Sequence, residues 1–144
     1  MKPYLYLLLI SLSLLSCKVE PQPITYGENH CHFCDMTVVD KTHAAELTTK
    51  KGKSTVFDAI ECMVRQVNQD NSEEKMAFLL VADYANPGQL INAQTALYLI
   101  SSKIKSPMGA NLSAFSTISL ASEYQLEFGG EIYNWDQLKT KLSK

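Results

Sequence analysis

The stretch STVFDAIECMV, residues 54–64, decides the fold because it passes directly from a strand pattern to a helix pattern. The β-branched and aromatic residues of Ser54–Phe57 favour a short strand. Asp58 is a preferred N-cap residue, and Glu61 three positions later completes the capping-box pattern of a helix start. Apolar side chains then recur at helical spacing to about Asn68. We therefore expect a strand followed immediately by an amphipathic helix.

Further strand patterns lie on both sides of this stretch. Residues 44–48 are a short strand candidate, and the sequence KKGK at residues 50–53 is typical of a hairpin turn. Val38-Val39 is expected to begin an additional strand. Residues 76–81 are nearly all apolar, which indicates a central strand. The first half of the chain therefore predicts short strands, a helix and a strand, in that order.

The second half repeats this order loosely. Its predicted elements are strands at 90–91 and 96–100, a tight turn at 106–109, a helix at 113–128, a strand at 131–134 and a helix at 135–142. The helix at 113–128 is expected to end at Gly129-Gly130 and to bury Phe115, Ile118, Ala121 and Leu126. The pattern predicts an α+β fold in which pseudo-duplicated ββαβ units form one small domain.

The composition fits a globular protein. Of the 144 residues, 46% are hydrophobic and 19% are charged, and the formal net charge is −2. This balance differs from that of disordered chains. The chain has no basic stripe, so nucleic acid is not an expected ligand. No serine lies in a GxSxG motif, which argues against a serine hydrolase. His43 stands alone before two alanines and is expected at the surface or at a strand edge.

The first 17 residues have the pattern of a lipoprotein signal. Lys2 supplies a positive charge, and the apolar run Leu5–Leu15 would make roughly 16 Å of helix, too short to span a membrane. The run ends in Leu14-Leu15-Ser16-Cys17, which is similar to a lipobox. We expect cleavage before Cys17 and acylation of that residue, for example with palmitate, which would hold the protein on a membrane outside the cytoplasm. The expected divisions are a signal peptide at 1–16, a lipidated N-terminus and tether at 17–29, and a domain at 30–144.

The cysteine count is unusual for an extracytoplasmic protein. The chain has four cysteines, and lipidation of Cys17 would leave Cys31, Cys34 and Cys62. Disulfides are favoured outside the cytoplasm, yet an odd number leaves at least one thiol unpaired. Three thiols that bind a metal, or one disulfide with a free thiol, are both compatible with this count.

The segment HCHFCDM, residues 30–36, concentrates two thiols, a thioether and two imidazoles. Its CxxC pair would suit a thiol–disulfide oxidoreductase using Cys31 and Cys34. That chemistry is usually found where a strand leads into a helix, whereas this pair opens the domain and precedes a predicted strand. The oxidoreductase is therefore the alternative to a metal-binding, non-enzymatic protein.

Two metals match different parts of the residue set. Cys31, Cys34 and Cys62 with a histidine such as His32 would make a closed zinc site. Copper(I) prefers soft sulfur ligands, so Cys34 together with Met36 is a second hypothesis, to which Met108 could add a third sulfur. A third interpretation gives Cys62 a packing role only, because free cysteine often behaves as a small buried apolar side chain.

Residues 31–36, CHFCDM, resemble the C-x-x-C-G-M signature of the NosL family, copper-chaperone lipoproteins associated with nitrous oxide reductase maturation. The likeness continues in family order over nearly all of the chain after Cys17. Its further motifs lie at residues 44–45, 57–63, 81–84, 91–93, 107–109, 114–115 and 129–130.

This resemblance implies a periplasm-facing, membrane-anchored lipoprotein that binds copper(I) and passes it to a copper-accepting protein or assembly complex. It implies a fold built from a repeated ββαβ unit, and copper ligands at Cys34, Met36 and Met108. Cys31, Cys62 and His32 are further candidate ligands. Asp35 stands where the family has glycine, and aspartate tolerates left-handed backbone geometry better than most residues if the turn requires it.

Overall fold

The computed structural model describes residues 18–143, so the expected signal peptide and Cys17 lie outside the described residues. The strands are β1 (Ala45–Thr49), β2 (Ser54–Phe57), β3 (Met76–Ala82), β4 (Leu90–Asn92), β5 (Leu97–Ile100), β6 (Leu112–Phe115) and β7 (Glu131–Tyr133). The α-helices are α1 (Ile60–Asp70), α2 (Ile118–Phe128) and α3 (Trp135–Leu142), and a 3-10 turn covers Glu73–Lys75. Within residues 18–143, no helix is both long enough and apolar enough to cross a membrane.

The strands form two antiparallel sheets, with the orders β2-β1-β3-β4 and β6-β5-β7. Each sheet contains a strand–strand–helix–strand segment whose first strand pairs with the other two. The predicted α+β class is confirmed, and residues 76–81 do form a central strand, β3. The pseudo-duplication of the ββαβ units stays a prediction.

The two sheets are joined where β3 ends. Asp83 forms a parallel bridge with Ala114 of β6, and the Tyr84 N–H donates to the Ala114 carbonyl over 2.8 Å. A single apolar cluster also includes buried residues of both halves, among them Phe57 from β2 and Tyr98 from β5. The halves therefore share a core, which allows residues far apart in sequence to build one site.

The C-terminal helix fastens the second half to the first through Glu73. Its carboxylate accepts hydrogen bonds from the Trp135 indole at 2.9 Å and from the Lys139 ammonium at 2.6 Å. Asn68 of α1 donates to the Lys139 carbonyl over 3.0 Å. These bonds hold α3 across the end of α1.

The capping box predicted for α1 is wrong. Ala59 occupies the N-cap position, and its methyl group cannot accept a hydrogen bond from the helix. Asp58 and Glu61 instead bond to segments elsewhere in the fold. The predicted apolar face is confirmed, because Ile60 and Val67 are buried. Burial of side chains of this size contributes about 1.5–3 kcal/mol each.

The helix predicted at 113–128 begins later than expected. Residues up to Phe115 belong to β6, where they pair with β5, and α2 starts at Ile118 after Thr117 caps it. Ile118 and Leu126 are 58% and 89% exposed, so the prediction that they belong to the core is wrong. Ala121 is buried, and Phe115 is buried from the strand rather than from the helix.

Two local expectations are also wrong. Val38-Val39 begins no regular strand, since residues 30–37 close on themselves through a single antiparallel bridge between His30 and Thr37. His43 is 2% exposed, with its Nδ1 at 2.8 Å from Asp40 and its Nε2 at 3.2 Å from Ser113. That order resembles a hydrolase triad, but Ser113 is fully buried in β6, so its hydroxyl cannot meet a substrate.

Candidate metal centre

The segment predicted to carry the chemistry is a tight loop. The Cys31 N–H donates to the Met36 carbonyl, and the Asp35 N–H donates to the Cys31 carbonyl, both over 2.8 Å. Asp35 has φ of 62°, in the left-handed region that favours glycine. The loop therefore needs positive φ at the position where an aspartate replaces the glycine of the CGM signature.

The loop lies against β2, which brings it to the start of α1. The His32 N–H donates to the Val56 carbonyl over 2.9 Å, one residue before the end of β2. Asp58 follows that strand directly, and Cys62 lies in the first turn of α1. Three segments of the first half therefore meet at one point.

The thiols of Cys31, Cys34 and Cys62 and a carboxylate oxygen of Asp58 all lie within 4.8 Å of one another. The Cys34 and Cys62 sulfurs are 4.0 Å apart, and the Cys34 thiol donates to Asp58 Oδ1 over 3.3 Å. A metal–sulfur bond of about 2.3 Å places two sulfurs roughly 3.8–4.0 Å apart in a tetrahedral or trigonal site. The spacing of these sulfurs therefore suits one shared metal ion.

Asp58 is a ligand candidate that the sequence analysis missed. It is 2% exposed, and its Oδ2 atom has no hydrogen-bond partner among residues 18–143. A buried carboxylate oxygen without a partner is costly, and a bound cation would relieve that cost. Its position four residues before Cys62, in the turn where a strand leads into a helix, was the available signal.

The three thiols of the cluster differ in pKa. A hydrogen bond from Cys62, the largest influence, lowers the pKa of Cys31 to about 6. The same bond, together with burial, raises the pKa of Cys62. Burial raises the pKa of Cys34 to about 11. Because thiolates rather than thiols bind metals, Cys31 is the thiol best prepared to receive a cation at neutral pH.

Met36 lies at the outer side of this cluster. It is 48% exposed, whereas Cys31 and Cys62 are buried and Cys34 is half-buried. Cys34 and Met36 therefore form the accessible side of the loop.

Met108 belongs to a turn from the second half that Glu61 holds. The buried Glu61 carboxylate accepts a hydrogen bond from the Ser106 hydroxyl at 2.5 Å and from the Ala110 N–H at 3.1 Å. Gly109 has φ of 79° and closes the turn with an N–H bond to the Ser106 carbonyl. Because Glu61 precedes Cys62, this arrangement fastens the methionine turn to the helix that carries a cluster thiol.

The structure brings some of the predicted site residues together and leaves others outside the cluster. Cys31, Cys34 and Cys62 come together. His32 is exposed, its ring lies nearly perpendicular to that of Phe57 with the centroids 6.2 Å apart, and it is not among the four candidate ligands. Met108 packs, half-buried, against the shared core, and its binding of copper, like that of Met36, stays a prediction.

Burial also bears on the oxidoreductase alternative. Exchange with a partner's disulfide requires an exposed thiolate at the attacking cysteine. Cys31 has the lowered pKa but is 2% exposed, whereas the more accessible Cys34 has a raised pKa. The two properties of an attacking thiol therefore lie on different residues, and the geometry favours metal binding.

Comparisons with known proteins agree with this fold. The NosL family model matches residues 22–143. The crystal structure of the copper chaperone NosL from Shewanella denitrificans superposes with a TM-score of 0.72 at 22% sequence identity. The match covers 84% of this chain and 96% of that chain, and it shows that the two share a fold. A search of curated proteins finds no match to this chain.

Proposed function

This chain belongs to the NosL family, and from that premise we propose that it binds copper(I) through cysteine and methionine sulfur and passes the ion to a partner protein. The observation that carries the proposal is the convergence of three thiols and one carboxylate within 4.8 Å at the start of α1. Copper(I) is a soft ion that thiolates and thioethers bind well, and three thiols at this spacing suit it.

The accessibility of the ligands supports transfer rather than storage. Cys34 is half-buried and Met36 is 48% exposed on the same loop, while Cys31 and Cys62 lie behind them. A partner's ligands would approach from the side of Met36, bind copper(I) there and displace the inner thiolates one at a time. The process is ligand exchange, so the protein acts without catalysing a chemical transformation.

The location and recipient are the finer parts of the proposal. Cys17 would carry the lipid that holds the protein on a membrane facing the periplasm, which is where the apolar run and lipobox pattern direct it. The recipient would be the apparatus that assembles the copper sites of nitrous oxide reductase. Deleting the gene should leave that reductase short of copper while its polypeptide accumulates normally; normal copper content would contradict this recipient.

Copper binding can be tested on the reduced full chain with a chromophoric copper(I) chelator as competitor. We expect tight binding that is lost when Cys31, Cys34 and Cys62 are all changed to serine. Met63→Leu is a matched control, because this fully buried methionine lies beside Cys62 in the same core and the proposed site does not include it. Unchanged affinity in the triple variant would contradict the proposed site.

Asp58 favours zinc as a second candidate ion. Three cysteines and one aspartate make a four-ligand set of the kind that zinc accepts in a tetrahedral site. Titration of the same protein with zinc(II) would separate the two. Copper function predicts that copper(I) displaces bound zinc and that Asp58→Asn weakens zinc more than copper, because the carboxylate is a hard ligand.

A further inference from the structure

The segment before the metal-binding loop follows a defined course over the first sheet. The Tyr26 ring lies under the Lys41 ammonium at 5.6 Å, ahead of β1. The Gln22 N–H donates to the Glu46 carboxylate, within β1, over 2.9 Å. Read from Tyr26 to Gln22, against the chain direction, this segment therefore lies alongside β1 and approaches the hairpin that joins β1 to β2.

Cys17 is five residues before Gln22, and an extended chain covers roughly 17 Å over that distance. The hairpin begins four residues after Glu46, or roughly 13 Å along a strand. If Cys17 carries a lipid, as proposed above, the hairpin end of the sheet lies within reach of the membrane surface.

That end of the sheet is basic. Lys50, Lys51 and Lys53 form the hairpin turn, and Lys75 lies beside them because the Lys50 N–H donates to its carbonyl over 3.0 Å. These four lysines and Thr49 surround a cavity of about 520 Å³, and Glu74 is the acidic residue in its lining. Lys18, which is exposed and lies next to Cys17, pairs with Glu20 at 3.1 Å. Positive charge therefore exceeds negative charge where the chain leads toward its anchor.

We infer that this lysine end, defined as Lys50, Lys51, Lys53 and Lys75, docks on the anionic phospholipid headgroups of the membrane that holds the anchor. Lysine side chains suit this role, because the ammonium can reach the phosphates while the methylene stem lies against the headgroup layer. The lipid on Cys17 would hold the chain on the membrane, and a basic patch would add a second contribution that orients the domain on an anionic surface.

The docking would orient the metal centre. β2 begins at the hairpin with Ser54 and ends at Phe57, next to Asp58 of the cysteine cluster. The cluster and the lysine end are therefore at opposite ends of the same strand. With the lysines on the headgroups, the exposed Met36 faces away from the bilayer, where a partner protein can approach it.

The test uses the lipidated full chain in vesicles of phosphatidylcholine alone and of phosphatidylcholine with phosphatidylglycerol. Brief acetylation followed by mass spectrometry measures the reactivity of each lysine. In the anionic vesicles we expect the lysine end to react roughly fivefold more slowly, as about 1 kcal/mol of attraction per lysine implies, and high salt should abolish the protection. Lys103 and Lys105, on the connection between β5 and β6, are internal controls that should not change.

Several outcomes would overturn the docking. They are equal reactivity in both vesicles, protection that survives high salt, and protection of Lys103 and Lys105 instead. A variant with Lys50, Lys51 and Lys53 changed to glutamate should lose the protection of Lys75 yet float with the vesicles.

Two further measurements keep this inference separate from the proposed function. The glutamate variant should bind copper(I) as the unchanged protein does, so a chain that shows lysine protection without copper binding contradicts the function alone. A chain that floats with neither vesicle contradicts the lipid anchor, and it overturns the docking because the docking depends on where the anchor leaves the domain.

Discussion

The two halves of the molecule make the same turn from a strand into a helix, but they use it differently. In the second half, β6 leads into α2 through Thr117, whose hydroxyl accepts a hydrogen bond from the Leu120 N–H over 3.2 Å. In the first half, β2 leads into α1 through Ala59, which has no side chain that can cap the helix. The second half thus has an ordinary capped helix, and the first does not.

The polar residues around the α1 start have other partners. Asp58 accepts a bond from the Cys34 thiol, and Glu61 accepts bonds from Ser106 and Ala110 of the second half. A cap contributes about 1 kcal/mol to a helix. The first half lacks that contribution, and the same region instead holds the cysteine cluster and the methionine turn. The polar residues at this helix start therefore bond to distant segments instead of capping the helix.

Burial differs in the same direction. The first turn of α1 is wholly enclosed, including the polar Glu61, while Ile118 at the start of α2 is 58% exposed. α1 therefore depends on tertiary packing for its stability, and α2 depends more on its own local bonds. Substitutions at the two helix starts should separate metal binding from stability.

The largest expected effect is on metal binding at α1. Cys62→Ser should weaken copper(I) binding by roughly 100-fold or more, since removing a ligand exceeds the 10–100-fold cost of removing a residue that only orients one. Competition with a copper(I) chelator measures it. An affinity within threefold of the original would mean that Cys62 serves only packing.

Glu61→Ala should produce the largest loss of stability. It removes the acceptor from the buried Ser106 hydroxyl and from the partly buried Ala110 N–H, which costs about 2–3 kcal/mol in the free energy of unfolding. Urea denaturation would measure this as a lower midpoint with an unchanged slope. Glu61→Gln retains an acceptor oxygen and should cost clearly less. Equal losses in both variants would indicate that the carboxylate charge, rather than the hydrogen bonds, holds the turn.

Met108→Leu tests whether the methionine turn belongs to the copper site. The swap conserves volume, so stability should change by less than about 1.5 kcal/mol. Loss of one thioether should weaken copper(I) binding by about tenfold while zinc(II) binding stays unchanged. Met76→Leu is the control, because Met76 is a half-buried methionine that packs against the same core from β3. Equal copper affinity in both variants would assign Met108 to packing.

Thr117→Ala should cost about 1 kcal/mol of stability, the usual cost of losing a cap. It should leave copper affinity unchanged, because the second helix start contributes nothing to the cluster. Thermal unfolding and copper titration of the same sample measure both. A loss of copper affinity would contradict the contrast between the two helix starts.

The smallest effect is expected at Asp35→Gly. Glycine adopts positive φ without strain. The free energy of unfolding should therefore rise by about 0.5–1 kcal/mol. Asp35→Ala is the matched comparison, since it removes the same carboxylate but keeps a side chain at φ of 62°. If alanine were as stable as glycine, backbone strain at this position would be negligible.

The sequence predicted elements that have a clear periodic pattern. The strand at 54–57 follows from its β-branched and aromatic residues, the strand at 76–81 from its apolar run, and the helix beginning near residue 60 from the helical spacing of its apolar residues. The start of α2 could not be located in this way, because Leu112–Phe115 is apolar enough for either element and its pairing with β5 decides.

The site was predictable in its thiols but not in its carboxylates. A CxxC pair with a third cysteine is compatible with metal binding from local chemistry alone, and the structure brings the three thiols together. Asp58 and Glu61 fit a capping box so well that the pattern concealed their partners, which lie 24 to 49 positions away. The prediction that His43 lies at the surface or a strand edge is wrong for a similar reason, since Ser113, one of its partners, is 70 positions away. Local patterns do not reveal contacts of that range.

The bonds from Glu61 to the second half have a consequence for the order of folding. They span 45 and 49 positions, so they can form only after both halves have packed together. A chain with only its first half folded would present the three cysteines without the turn that carries Met108. Copper offered to such a chain would then meet the three thiols and Met36, and the turn that carries Met108 would join them only in a fully folded molecule.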